Sequence, residues 1–178
     1  YLPPEPVAVV ICEMLHSALL REKQLEVISN FKERYRAKFG DALPIFIPEA
    51  TILAFQPVYR TFDYLGYKAP TVMFRDPYAQ DPDTTQLGPP ISYSVFEYRH
   101  EIPKSFEFNS EITVDTAGVL NALRFVTKNV LGIIVEEKRA IDWHNQYLIV
   151  PFKQEISVKP GDKIHISFNY EAGAEIGQ

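Results

Sequence analysis

Hydrophobic positions along this chain fall into two regimes. The first opens with "VAVVIC" (7–12), a continuous apolar run rich in β-branched residues. That pattern predicts a short strand buried on both faces, of the kind found in parallel sheets. "YLPPEP" before it reads as an extended entry, because adjacent prolines exclude helix and sheet interior. From Ala18 to Phe39 the period lengthens. Leu25, Ile28, Phe31, Tyr35 and Phe39 recur at helical steps, and Lys23, Glu26, Lys32, Glu33, Arg34, Arg36 and Lys38 occupy the remaining positions. Gly40 stands where a helix terminates. Strand followed by helix is half of a βα unit.

After Pro44 the pattern becomes extended. "IFIPEATILAFQPV", "SYSVFEYRHEI", "SFEFNSEITV", "QYLIVPF" and "EISV" all read as strands. "VLNALRFVTKNVLGIIVEE" has a spacing that suits a helix almost as well; its β-branched content and its setting among strands assign it to strand. "KPGD" (159–162) places Pro then Gly at the centre of a type II turn. The strand after it alternates cleanly, with Ile164, Ile166, Phe168 and Tyr170 on one face and Lys163, His165, Ser167 and Asn169 on the other. Residues 59–90 lack a regular pattern but carry Tyr59, Phe62, Tyr64, Tyr67, Phe74 and Tyr78. A connection so long and so aromatic reads as a contact-making loop or arm. The expected architecture is α+β: a βα fragment over 1–44, then an antiparallel barrel or sandwich over 45–178, closure of which hides strand edges.

Composition narrows the function. With 178 residues and 46% hydrophobic content the chain can build a packed core. A formal net charge of −5 gives no reason to expect nucleic acid or an anionic membrane as partner. No apolar stretch approaches the roughly 20 residues of a membrane span, and no signal peptide is visible. The single cysteine, Cys12, excludes an intrachain disulfide and points to a reducing compartment, the cytoplasm or nucleus. The four histidines show no metal-ligand spacing, so no metal is expected. A start at Tyr1 rather than Met reads as a processed or truncated piece.

The candidate chemistry lies at the join of strand and helix, "VICEMLHSALLREKQ" (10–24). Glu13 follows the apolar strand, and Glu22 comes nine residues later, before the helix. Glu22 alone is explained by the favourable charge at a helix start. Glu13 sits where open α/β sheets place ligands, beyond the carboxyl end of a strand. Two carboxylates on neighbouring elements suit a guanidinium, a planar fork of donors that stays protonated at ordinary pH. They would orient it and localise its positive charge.

"VICEMLHSALLREKQLEVI" followed by "IFIPEATILAFQPV" resembles the double-glutamate region of protein arginine methyltransferases. Glu13 and Glu22 match that family's two glutamates in position and spacing, and "FIPEAT" (46–51) matches its barrel entry. "NALRFV" (121–126) resembles a central barrel strand, and "IDWHNQYLIVPFKQEISVKPGDKI" resembles the segment that begins with the family's Thr-His-Trp loop. The resemblance implies a Rossmann-like methyltransferase remnant followed by a barrel. It implies S-adenosylmethionine as methyl donor, a protein substrate, and methyl transfer to a cationic nitrogen, arginine guanidinium first, by direct in-line attack. It gives Glu13 and Glu22 as catalytic residues, Met14 and His16 as cofactor neighbours, Trp143, Asp142 and His144 as the substrate border, and 59–90 as a homodimerisation arm. Two departures stand out. The Thr-His-Trp triplet reads Ile141-Asp142-Trp143, with His144 one place beyond, and no glycine-rich nucleotide loop is present. The competing reading is a non-catalytic β module for protein binding or dimerisation.

Overall fold

The computed structural model describes residues 2–176. Strand β1 (Val9–Ile11) leads through a 3-10 turn at Ser17–Leu19 into helix α1 (Gln24–Phe39), and β2 (Ile45–Ile47) returns parallel to β1. The strand just past Pro44 therefore completes a small parallel β-α-β unit. The two-stranded ribbon has no further neighbour among the described residues. Val9 is 44% exposed and Ile11 73% exposed, so the expectation of a strand buried on both faces fails. The apolar pattern calls for neighbours on either side, and only β2 is there.

Helix α1 also begins later than its periodicity predicts, at Gln24 rather than Ala18. Ala18, Leu19 and Arg21 adopt positive φ, incompatible with a continuing helix. Leu25, Ile28 and Tyr35 are buried as expected, and Phe31 and Phe39 are half-buried. Lys32, expected on the solvated side, is buried and donates from Nζ to the carbonyls of Tyr98 and His100. Gly40 ends the helix at φ 88°, its N–H bonded to the Arg36 carbonyl.

The rest is antiparallel. β3 (Ala50–Arg60), β6 (Met73–Arg75), β7 (Thr84–Gln86), β8 (Ile91–Glu97), β10 (Gly118–Ile134), β11 (Arg139–His144) and β12 (Tyr147–Val158) form one seven-stranded sheet that curls into a half-barrel. The ambiguous segment is one strand, β10, paired with β3 on one side and with β12 and β11 on the other. β9 (Ser105–Thr113) and β13 (Lys163–Glu171) pair as a ribbon that packs on the concave face of this sheet. Their inward residues join Phe55, which meets Phe108 at 4.7 Å and Phe168 at 5.5 Å between ring centroids. The Lys159–Asp162 turn before β13 closes with Gly161 at φ 90° and the Asp162 N–H on the Lys159 carbonyl, as predicted.

Residues 59–90 are more ordered than their pattern suggests. β6 and β7 belong to the large sheet, and β4 (Asp63–Tyr64) with β5 (Tyr67–Lys68) forms a hairpin around Leu65-Gly66. Both turn residues have positive φ, the geometry of a tight type I′ turn. The segment is held down by Arg60, 3% exposed, whose guanidinium reaches Asp81 at 2.5 Å and Asp83 at 3.3 Å. Burial pushes the Asp81 carboxyl up, but Thr84, Arg60 and Arg75 outweigh it and hold the carboxyl below its ordinary range. Removing Asp81 would take away the shorter of the two ion pairs of buried Arg60 and leave it with Asp83 and the Thr84 hydroxyl.

Candidate functional site

The segment between β1 and α1 is fixed by one buried side chain. Gln24, the first residue of α1, is 0% exposed. Its Oε1 accepts from the Met14 N–H at 2.8 Å and from Cys12 Sγ at 3.4 Å, while its Nε2 donates to the Cys12 carbonyl at 2.8 Å. The amide thus grips the residues on both sides of Glu13. Glu22 lies two positions before the same glutamine. The loop that carries both glutamates is pinched shut at Gln24.

Its middle is pinned to the end of the half-barrel. The Asn145 amide donates to the Leu15 carbonyl at 2.9 Å, the Ala18 N–H donates to Thr127 Oγ1 at 2.7 Å, and Ser17 Oγ donates to the Gln146 carbonyl at 2.5 Å. Asn145 is itself the end of a buried relay. Thr51 Oγ1 donates to Asn129 Oδ1 at 2.9 Å, and Asn129 Nδ2 donates to Asn145 Oδ1 at 2.8 Å. The Thr51 proton is committed to Asn129, so Tyr98 Oη is the donor in its 2.9 Å contact with Thr51. Burial pushes the Tyr98 phenol up to about 12, against the influence of Thr51 and Gln24. Each donor in the relay has an acceptor, which is what makes a buried polar chain stable.

Glu13 and Glu22 are both exposed, and neither carboxylate has an ion-pair or hydrogen-bond partner among the described residues. Met14 is exposed beside Glu13. His16 is half-buried, its ring edge-on to Phe74 at 5.2 Å and its Nδ1 3.3 Å from the Ser17 carbonyl. Segment 142–146 comes to the same place through Asn145 and Gln146. Trp143 is half-buried against the core beneath α1. Asp142 pairs with Lys128 at 2.7 Å, and His144 Nε2 lies 3.9 Å from Asp142 Oδ1. The 59–90 segment reaches this rim too: Tyr78 Oη accepts from the His144 N–H at 3.1 Å. Two clefts, of about 550 and 560 Å³, lie elsewhere, and neither is lined by Glu13 or Glu22.

Sequence reasoning singles out the glutamates and the 142–144 segment but not Gln24, Thr127, Asn129 and Asn145, which hold the loop. Their signal is weak: polar residues at positions where the apolar period demands burial. Cys12, expected as an inert residue inside the strand, lies one place past it, half-buried on Gln24. Burial and the Glu13 charge raise its thiol.

The described residues do not make a nucleotide cradle. The positive-φ glycines are spent elsewhere: Gly40 ends α1, Gly66 turns a hairpin, Gly161 turns into β13, and Gly173 packs on Lys23. Met14 and His16, the expected cofactor neighbours, lie beside Glu13 and against Phe74, with no glycine turn next to either among the described residues.

Burial, then the Lys128 charge, hold the His144 imidazole below its ordinary value, with Asp142 opposing. Its neutral form is favoured by folding, so its contribution to stability shrinks as pH falls through the ordinary histidine range. Lys128→Met removes one cation and frees Asp142 to face His144. The His144 titration midpoint, read by NMR of the ring protons, is expected to rise; an unchanged or lower midpoint contradicts this placement.

No protein-family model matches the chain. An uncharacterized protein of Methanothermobacter thermautotrophicus is 28% identical over 168 residues, covering 92% of this chain and 57% of that protein. Among solved structures, a chain of the Trypanosoma brucei PRMT1 enzyme-prozyme heterotetrameric complex with AdoHcy matches with a TM-score of 0.64 at 10% identity, over 96% of this chain and 59% of that chain. The chain thus spans less than two thirds of the length of either. The structural likeness shows a methyltransferase-like fold.

Proposed function

We propose that this chain is the glutamate-loop and barrel portion of an S-adenosylmethionine-dependent methyltransferase that acts on a cationic nitrogen, with arginine guanidinium in a protein substrate as the leading acceptor. The observation that carries the reading is the pair of exposed, unpartnered carboxylates, Glu13 and Glu22, on a loop fixed by Gln24 and by the barrel end. Unpaired carboxylates held on rigid backbone bind a planar cation without first breaking contacts of their own. Trp143, with Asp142 and His144, borders the acceptor side, and Met14 and His16 border the donor side. The neighbour solved with AdoHcy supports that donor class. The open parallel ribbon, with Ile11 and Ile45 exposed, suits continuation of the sheet by a nucleotide-binding half supplied from outside these residues.

The test is methyl transfer by the full-length protein to an arginine-rich peptide. Glu13→Gln, which keeps size and removes charge, is expected to lower kcat by about 10²–10³-fold, in line with losing one preorganised electrostatic contact. Retention of most activity with an unchanged circular dichroism spectrum contradicts the role.

A homodimer through 59–90 belongs to the same proposal. The hairpin tip presents Tyr64, Leu65 and Tyr67 to solvent, an apolar knob with nothing over it among the described residues. Deleting the segment would also strip Arg60 of its partners, so point changes at the tip are the cleaner probe. Leu65→Asp with Tyr67→Ser is expected to convert a dimer to monomer in sedimentation velocity; an unaltered mass rules out this contact.

A further inference from the structure

The wall of the half-barrel is open between β12 and β13. β12 pairs β10 along one edge and along the other meets β6 only at residues 147–149. β13 pairs β9 along one edge, and its second edge pairs with no strand among the described residues. These two free edges border a cleft of about 560 Å³. Its apolar lining includes Phe125, Val150, Phe152, Ile156, Ile166 and Phe168. Consecutive residues line it as well: Phe152, Lys153 and Gln154 from β12, and all of 164–168 from β13. Neighbouring side chains of a strand point to opposite faces. A cleft touched by both sets runs along the strand edges, where unpaired N–H and C=O groups stand.

Charge selects the occupant further. Lys153 and His165 are the titratable side chains of the lining, and it contains no acid, in a chain of net charge −5. The nearby acids are engaged: Glu155 lies 3.3 Å from Lys68, and Glu111, opposite His165 on β9, lies 3.6 Å from Lys163. Lys153 and His165 have no ion-pair partner among the described residues.

We propose that this slot is a β-addition site for an extended segment of a partner protein, with apolar residues facing the aromatic floor and alternate acidic residues facing Lys153 and His165. Strand addition takes its affinity from main-chain hydrogen bonds and its specificity from alternate side chains, and this slot offers both. At roughly 3.3 Å per residue, the 164–168 edge accommodates about five residues. A single-chain lipid would use the apolar floor but leave the free backbone edge of β13 unpaired. The proposal is independent of the methyltransferase reading.

The test titrates the full protein with a labelled peptide of alternating Val and Glu, with its Val/Lys counterpart, and with dodecanoate, while amide hydrogen exchange is followed. The Val/Glu peptide is expected to bind at least about tenfold more tightly than the Val/Lys peptide. It is also expected to slow exchange within 152–156 and 163–168, and to lose its advantage in the Lys153→Glu, His165→Glu double variant. Failure of both peptides to bind, equal binding of the two, or dodecanoate binding without peptide protection of these amides overturns the proposal. The comparison of the two peptides stands without the variant.

Discussion

The arrangement of the candidate site depends on one buried amide. Gln24 satisfies a donor at Met14 and an acceptor at Cys12 at the same time, and does so from the first residue of the helix. A buried group left without its partner costs about 1–3 kcal/mol, so removing this side chain penalises the closed loop at two main-chain positions. The loop contains three non-glycine residues at positive φ, a conformation that persists only where surrounding contacts impose it. Gln24 at one side and Asn145, Gln146 and Thr127 at the other supply those contacts. Exposed glutamates on such a loop are held in place without being neutralised.

The Tyr98–Thr51–Asn129–Asn145 relay ties this loop to the rest of the molecule. It crosses the sheet from the end of β8, through β3 and β10, to the start of β12 and ends on the Leu15 carbonyl. The parallel unit and the half-barrel therefore meet through directional hydrogen bonds as well as through the apolar core around Leu19, Leu53 and Phe106. Apolar packing tolerates small slips; a relay in which every donor has one acceptor does not. The 59–90 segment adds a second fastening, with Phe74 against His16 and Tyr78 on His144. The aromatic arm and the glutamate loop share a rim.

Much of this was legible in the sequence. The β13 alternation, the Gly161 turn, the Gly40 terminus and the strand character of β10 follow from local period and turn chemistry. What was not legible depends on distant partners. Nothing in "SALLRE" announces a 3-10 turn, because its positive-φ residues are stabilised by Thr127, Ala174 and Asn145, far away in the chain. Lys32 reads as solvated until the carbonyls of Tyr98 and His100 are folded over it. Arg60 within "QPVYRTFDY" shows no sign of its ion pair with Asp81. Spacing and resemblance single out the two glutamates; the glutamine that fixes their loop gives no such signal, because a buried polar residue at a helix start looks like an ordinary first-turn residue.

The most direct measurement is amide hydrogen exchange at Met14 in the native protein and in Gln24→Leu, a near-isosteric change that removes both hydrogen bonds. The account predicts a protected Met14 amide in the native protein. In the variant its exchange should rise by about tenfold to a hundredfold, while the amides of β10 keep their protection. A Met14 amide that exchanges at the same rate in both proteins would contradict the claim that Gln24 sets the loop.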